Sequence, residues 1–462
     1  MGLASILKRR RKAQLESISR RDSISSLPDD ILGIILSLLP TKLAASTSVL
    51  SKRWMNLLPL VDSSLDFDDS IFLYPDHHRD AARSSAFSEF VDKTVALLST
   101  CPIKTLSVNG RYEKSRVDDW IRVALQPSLS ELHLRCPHRI DKDRAELLFR
   151  SKTLVKLTLS GGCVIEALPD GHMDFTDQLF MDEKINEDRC FPSLKSLYIG
   201  DIVIEESYYH KLILMCPVLE ELFIHNDGES HPPSWIGFAP CRTLKRLVIY
   251  YVVPPDYVHD VYNDGGEMES LVEARLDLRL LESTTRFDDY TETGEYNDLL
   301  VILHLSAYSL EALHFGCKLI FTFDNLVTLS FESDKDKSWQ VLPRLLRKTP
   351  KLQNLVIKGL LHRVTGRCGD VCPCYHRPKR KGVIDWRKEK VSCLPYLPLK
   401  VLEISGYGGT CREIEQMRFF LGSLQYLELV KIGVQPGSDC NKLRSNLMRF
   451  PRFSSKCNIQ FI

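Results

Sequence analysis

A six-residue pattern, apolar at its first, fourth and sixth positions, returns along most of the chain. It reads IKTLSV from Ile103, LSELHL from Leu129, LVKLTL from Leu154, LKSLYI from Leu194, LEELFI from Leu219, LKRLVI from Leu244 and LVEARL from Leu271. LEALHF from Leu310, LVTLSF from Leu326, LQNLVI from Leu352, LKVLEI from Leu399 and LQYLEL from Leu424 complete the set. One match means little: in a chain 44% hydrophobic, three set positions are apolar by chance in about one window in eleven (0.44 cubed). The spacing carries the signal, because most starts lie 25 to 27 residues apart. Longer gaps before Leu194, Leu310 and Leu399 read as insertions. The gap of only 16 residues between Leu310 and Leu326 makes one of those two doubtful.

A period of that length means stacked units, each unable to bury its apolar face alone. Each pattern predicts a short parallel strand. Its second and third apolar residues, such as Leu222 and Ile224, point into a core, and the residue between them points out on the concave side. A variable segment then returns to the next strand, as HKLILMC does before PVLEEL. The pattern resembles leucine-rich repeats. That family places Asn or Cys at the ninth position, where Pro137, Gly162, Ile202, Asp227, Val252 and Leu360 stand here. The resemblance therefore implies an irregular, loosely curved solenoid without a side-chain ladder. On the outward face, Tyr198, Phe223, His225, Tyr250 and Arg275 are the candidate target-binding residues, because aromatics and Arg dominate interface hot spots. The alternatives are that insertion loops cover them or that aromatics simply suit a strand.

The N-terminal stretch from Leu27 to Trp54 has a different grammar. Leu27–Leu39 predicts a helix, with Ser26 as cap, Pro28 in the first turn, Asp29 and Asp30 at the positive end and Pro40 as the stop. A second helix is predicted from about Lys42 to Val49, and a third after Ser51 carries Arg53, Trp54 and Leu57. The first helix has two apolar stripes, Ile31–Ile35–Leu38 and Leu32–Leu36–Leu39. That is wider than one buried face needs, so either the rest of the chain or a partner must close the surplus. LPDDIL, then LP, then SVLSKRW, over about Ser25 to Leu58, resembles the F-box in its plant form. The resemblance implies docking on a Skp-type adaptor and, through it, a cullin, with Leu27, Pro28, Ile31, Ile35, Leu38, Val49 and Trp54 as candidate adaptor contacts.

CLPYLPLKVLEISGYGGTCREIEQMRFFLGSLQYLELVKI, from Cys393 to Ile432, together with the closing FPRFSSKCNIQFI, resembles the FBD module that follows F-box and leucine-rich repeats in plants. It predicts a strand, a helix around Arg412 to Leu421, a strand and a final short strand, capping the solenoid. The expected organisation is a basic leader (1–22), an F-box (23–60), a repeat solenoid with insertions (61–385) and an FBD module (386–462). The fold class is α/β.

The remaining features mostly exclude functions. A net charge of +1 gives no global field toward nucleic acid or membrane. The fourteen cysteines are scattered and no Asn-x-Ser/Thr acceptor occurs, which fits reduced thiols in the nucleus or cytoplasm. MGLASILKRRRK is not a signal peptide, since its charges follow the apolar piece, and Ile6 breaks the myristoylation pattern. The apolar run Ile31–Leu39 is far shorter than the ~20 residues that cross a bilayer. KRRRK, Lys8 to Lys12, reads as a nuclear import signal or a solvated charged tail. No Walker loop, His-Glu-x-x-His or Gly-x-Ser-x-Gly is present, so no catalytic residue is assigned and no cofactor is expected. RCGDVCPCYH places Cys368, Cys372, Cys374 and His376 within nine residues. Thiolate and imidazole suit zinc, but the spacing is uncommon, and Cys372 and Cys374 point apart in an extended segment. The alternative is free thiols beside the basic run RPKRK. The expectation is a non-catalytic, substrate-recognising subunit of a Skp–cullin–F-box ubiquitin ligase with an unknown protein target. A repeat scaffold with no ligase role is the alternative.

Overall fold

The computed structural model describes residues 24, 27–39, 43–44, 47, 52–57, 64–68, 81–97, 102–125, 128–166, 191–202, 212–213, 215–226, 243–253, 270–280, 299–316, 322–334, 339–360, 368–376 and 392–462. The chain divides into two compact units. One comprises residues 1–139 with 151–163, and the other residues 140–150 with 164–462. The basic run Lys8–Lys12, the insertion before Leu194 and Val49 lie outside the described residues.

In the first unit, strands β1 (Ser64–Asp68), β2 (Thr105–Asn109) and β3 (Glu131–Arg135) follow one another as parallel neighbours. After β4 (Arg139–Ile140), strand β5 (Lys156–Ser160) pairs with β3, Leu132 opposite Leu157 and Leu134 opposite Leu159. Those four leucines are fully buried, the two-residue period of a half-buried strand. Strand β1 carries Leu65 and Phe67 inward and was not anticipated. Behind the sheet, helix Lys114–Ala124 buries Trp120, whose indole N–H donates to Asp92 Oδ1 at 2.8 Å.

In the second unit, β6 (Val164–Ile165) pairs with β4 in a separate two-stranded sheet. The main run follows: β7 (Ser196–Gly200), β8 (Glu221–Asn226), β9 (Arg246–Val253), β10 (Glu273–Leu280), β11 (Ile302–Leu305), β12 (Thr328–Glu332) and β13 (Asn354–Lys358). Strands β14 (Val401–Tyr407), β15 (Leu429–Val434) and β16 (Asn458–Phe461) continue it, and every neighbouring pair is parallel. The α/β leucine-rich-repeat solenoid is what the pattern predicts.

Two repeats are phased differently from the prediction. Leu310 begins no strand, because Ala307–Gly316 is a helix. The strand of that repeat is LVILHL from Leu300, with Leu303 and Leu305 buried. Its start lies 29 residues after Leu271 and 26 before Leu326, so the anomalous 16-residue gap disappears. The last pattern starts at Leu427 and not Leu424, since Val430 and Ile432 pair with Leu402 and Ile404. His304 and Lys431 therefore take the outward places in these two repeats.

A backbone ladder stands where side-chain Asn is missing. The carbonyl of Lys195 accepts N–H from Glu220 and Glu221, both at 2.8 Å, and that of Glu220 accepts Lys245 (2.8 Å) and Arg246 (3.0 Å). The same double acceptance passes through Lys245, Val272, Val301, Val327, Gln353 and Lys400. It satisfies the turn that enters each strand whatever side chains stand there.

In the FBD region the predicted helix spans Cys411–Ser423. A capping box fixes its start: Glu413 N–H donates to Thr410 Oγ1 (3.4 Å) and Thr410 N–H to Glu413 Oε2 (2.8 Å), with Gly408 N–H also donating to Glu413 Oε1 (3.1 Å). A second helix, Cys440–Met448, was not anticipated. The expected strand, helix, strand and final short strand are present: the region adds three more parallel strands, and β16 is the sheet's edge.

Candidate functional site

The first candidate surface lies in the N-terminal helices. Helix Asp29–Ser37 starts after Pro28, which holds the N-cap position without a side-chain cap, and has Asp29 and Asp30 in its first turn. Arg53, in helix Lys52–Leu57, reaches back to this start. It donates through Nε to Asp29 Oδ1 (2.8 Å) and through Nη2 to the carbonyl of Leu27 (2.5 Å), and its Nη2 lies 2.6 Å from Asp29 Oδ1. LPDD and SKRW are thus clamped together, a role for Arg53 that spacing alone does not reveal.

Burial sorts the candidate contacts. Leu32, Leu36, Ala44, Trp54 and Leu57 form one buried cluster, with Leu27 half-buried against it. Trp54, only 7% exposed, therefore serves the small core. The other stripe is open: Ile31 (43% exposed), Ile35 (38%) and Leu38 (80%) stand at i, i+4 and i+7, with Ile34 and Leu39 also exposed and Pro28 at the helix start. Scattered exposed apolar residues are ordinary. Five large aliphatics within nine residues form a patch of the kind that marks an interface.

The second surface lies on β7 to β10. Three outward rows cross these strands. Tyr198, Phe223, Val248 and Arg275 are in register, and so are Gly200, His225, Tyr250 and Asp277. The third is Ser196, Glu221, Arg246 and Glu273. The predicted aromatics meet. Tyr198 and Phe223 have centroids 6.3 Å apart, and His225 stacks on Tyr250 at 4.4 Å and 17°. His225 Nδ1 lies 3.3 Å from Asp201 Oδ2. Arg275 stands exposed in the Phe223 row.

Other members were missed. Arg246 lies over the Phe223 ring at 5.5 Å and pairs with Glu273 through Nε at 3.3 Å. Arg279 lies 4.8 Å from the Tyr250 ring and 5.0 Å from that of Tyr308, and reaches Asp277 at 3.4 Å. Arg246 was findable, because the third position of each pattern points outward like the fifth. Tyr308 was not, because its helix had been read as a strand. His304 lies beside Glu273 (3.8 Å), and burial lowers its pKa against the opposing pull of that carboxylate, which favours the neutral ring. The surface offers flat aromatic faces edged by guanidinium and carboxylate groups, a chemistry for binding a partner. No nucleophile–base pair accompanies it among the described residues.

The third candidate set comes together only in part. The sulfurs of Cys368, Cys372 and Cys374 lie within 4.8 Å of one another, all buried. His376 is outside that group and exposed. No helix among the described residues is long and apolar enough to cross a membrane.

Comparison with known proteins gives the family. The F-box domain matches residues 24–63, and the repeat family described as "FBD-associated F-box protein At5g56370, LRR repeats" matches residues 117–236. The chain is similar to three proteins of Arabidopsis thaliana, each aligned over 96% of this chain and 99% of the relative: F-box/LRR-repeat protein At5g35995 (45% identical), F-box protein At4g27050 (43%) and F-box/LRR-repeat protein At1g48400 (42%). With an F-box at one end, a leucine-rich-repeat sheet after it and relatives of this identity over almost its whole length, the chain belongs to the plant F-box/LRR-repeat family.

Proposed function

We propose that this protein is the substrate-recognition subunit of a Skp–cullin–F-box ubiquitin ligase. An F-box implies a Skp-type adaptor in general, and the observation that carries the reading is the open Ile31–Ile35–Leu38 stripe. Leu32, Leu36 and Trp54 already complete the small core, so the stripe is surplus to folding and suits an apolar groove on the adaptor. The adaptor links the chain to a cullin. The target is a protein held on the Tyr198–Phe223–His225–Tyr250–Arg275 face, extended by Arg246 and Arg279. The chain itself is non-catalytic. It acts by tethering, which raises the effective concentration of a target lysine near the conjugating enzyme. It works in the nucleus and cytoplasm, with Lys8–Lys12 as import signal. Replacing those five residues by Ala in a fluorescent fusion should lower the nuclear fraction, and an unchanged fraction would remove that part of the proposal.

The test of the function is capture of the tagged full chain from plant cells with the proteasome inhibited, followed by mass spectrometry. Adaptor and cullin should be retained by the natural protein and lost from the Ile31→Ser/Ile35→Ser variant, which keeps its repeat-bound target. A folded natural chain that retains no adaptor supports instead a scaffold with no ligase role.

A further inference from the structure

The connection between β13 and β14 holds a cluster of thiols that adaptor and target binding do not use. Cys368 follows the insertion after β13, and Cys372 and Cys374 lie around a tight turn that opens the short helix Pro373–His376. In an extended segment Cys372 and Cys374 would diverge. The turn instead brings their sulfurs to 3.0 Å, with Tyr375 N–H donating to the Cys372 carbonyl at 3.1 Å. Cys374 N–H donates to Cys372 Sγ at 3.4 Å, a contact that stabilises a thiolate.

The surroundings hold this arrangement from several sides. Gly369 has φ +71, and a Cβ there would lie 2.4 Å from Pro343 Cγ, so the turn between the first two cysteines requires glycine. Buried Asp370 takes the N–H of Cys393 on Oδ2 at 3.2 Å and pairs with Arg347. Gln416, on helix Cys411–Ser423, donates to the Val371 carbonyl at 3.0 Å. His376 contacts the backbone of the same turn. Its Nε2 lies 3.1 Å from the Asp370 carbonyl, which can only accept, so Nε2–H donates there and Nδ1 is the nitrogen left to meet a metal. A ring anchored to a backbone carbonyl through one nitrogen is the usual state of a metal-ligating histidine.

We propose that Cys368, Cys372, Cys374 and His376 Nδ1 bind one structural Zn²⁺ ion. At a zinc–sulfur distance of ~2.3 Å, tetrahedral ligands are separated by about 3.8 Å, so the three sulfurs need only adjust within their present cluster. His376 lies outside that cluster and closes the site by a shift of the short helix it ends. Binding forms four coordinate bonds and releases three thiol protons, leaving a site of charge −1. Zinc would staple the β13–β14 connection beneath helix Cys411–Ser423, a site closed by protein ligands and therefore structural.

The test is elemental analysis of the full chain, expressed with zinc and copper both available and purified without chelators. About one equivalent of zinc is expected. Less than about half an equivalent, copper in its place, or a Cys372–Cys374 disulfide by intact mass overturns the assignment. Cobalt(II) exchanged into the natural protein should give intense visible bands of a tetrahedral centre and near-ultraviolet thiolate charge transfer, and their absence overturns it too. This readout needs no variant to fold. Cys372→Ser should hold less than about a tenth of an equivalent. His376→Ala, with all three thiolates kept, should bind zinc more weakly by over about 100-fold, beyond what changes outside the coordination shell usually cost. Unchanged affinity in that variant overturns the fourth ligand.

Discussion

The helix Asp29–Ser37 and the face of β7–β10 both present large side chains to solvent, but they do so in opposite ways. On the helix and the two residues after it the exposed large side chains are plain aliphatics, Ile31, Ile34, Ile35, Leu38 and Leu39, and their only chemistry is the removal of apolar surface from water. On the strands, Tyr198 lies tilted against Phe223 and His225 stacks on Tyr250, with Arg246 over the Phe223 ring and Arg279 over that of Tyr250. The first surface has little directional content, which suits a single apolar groove. The second already spends its polar groups on mutual contacts, so a partner must offer groups that match or exchange them. A constant partner at one site and a selected partner at the other is what a recruiting subunit requires.

The largest effect is expected at Trp54, which sits on the folding side of the F-box. Trp54→Ala should cost ~3–5 kcal/mol, more than a three-helix unit of this size holds in reserve. Helix Asp29–Ser37 should then exchange its amides freely while the strands β7–β10 remain protected. Protection of that helix in the variant would mean that Trp54 is not its core. The exposed stripe separates binding from folding. Ile31→Ser/Ile35→Ser should abolish ubiquitin transfer to the target in a reconstituted ligase, with amide exchange across the F-box as in the natural protein.

Smaller effects are expected on the strand face. Phe223→Ala/Tyr250→Ala should weaken target binding by ~2 kcal/mol or more, about thirtyfold, and leave adaptor binding intact. A target bound as before would move recognition to another part of the chain. The smallest effect concerns Arg246, whose ion pair with Glu273 is part-exposed. Arg246→Gln should change stability by less than about 1 kcal/mol, yet lower the target association rate at low salt, with the difference fading as salt is added. A melting shift larger than that limit would make Arg246 a structural residue and not a contact.

What the sequence allowed follows the same division. The repeat strands were legible because burial of Leu132, Leu134, Leu157 and Leu159 leaves a two-residue period within a near-constant spacing. Leu310 misled because the apolar residues of helix Ala307–Gly316 imitate a strand pattern over six residues, and Leu424 because LQYLELVKI contains two overlapping matches. Only inter-strand pairing separates those. The F-box was legible from its apolar order, but which stripe faces the core was not, since both are equally apolar and the choice depends on where Trp54 and Leu57 return. Arg53 on Asp29 and Arg279 between Tyr250 and Tyr308 are contacts between separate segments, which no local pattern encodes. The convergence of Cys372 and Cys374 was obscured by assuming extended backbone where Gly369 and Pro373 form turns.

In the proposed function the adaptor binds the open stripe of helix Asp29–Ser37 and not the strand face. Calorimetric titration of a Skp-type adaptor into the folded chain tests it directly, comparing Ile31→Ser/Ile35→Ser with Phe223→Ala/Tyr250→Ala. Each large aliphatic group buried is worth ~1.5–3 kcal/mol, so the first variant should bind on the order of a hundredfold more weakly or worse, and the second should bind as the natural protein does. If the Ile31→Ser/Ile35→Ser protein is folded and its adaptor affinity is unchanged, the stripe is not the adaptor site and the account is wrong.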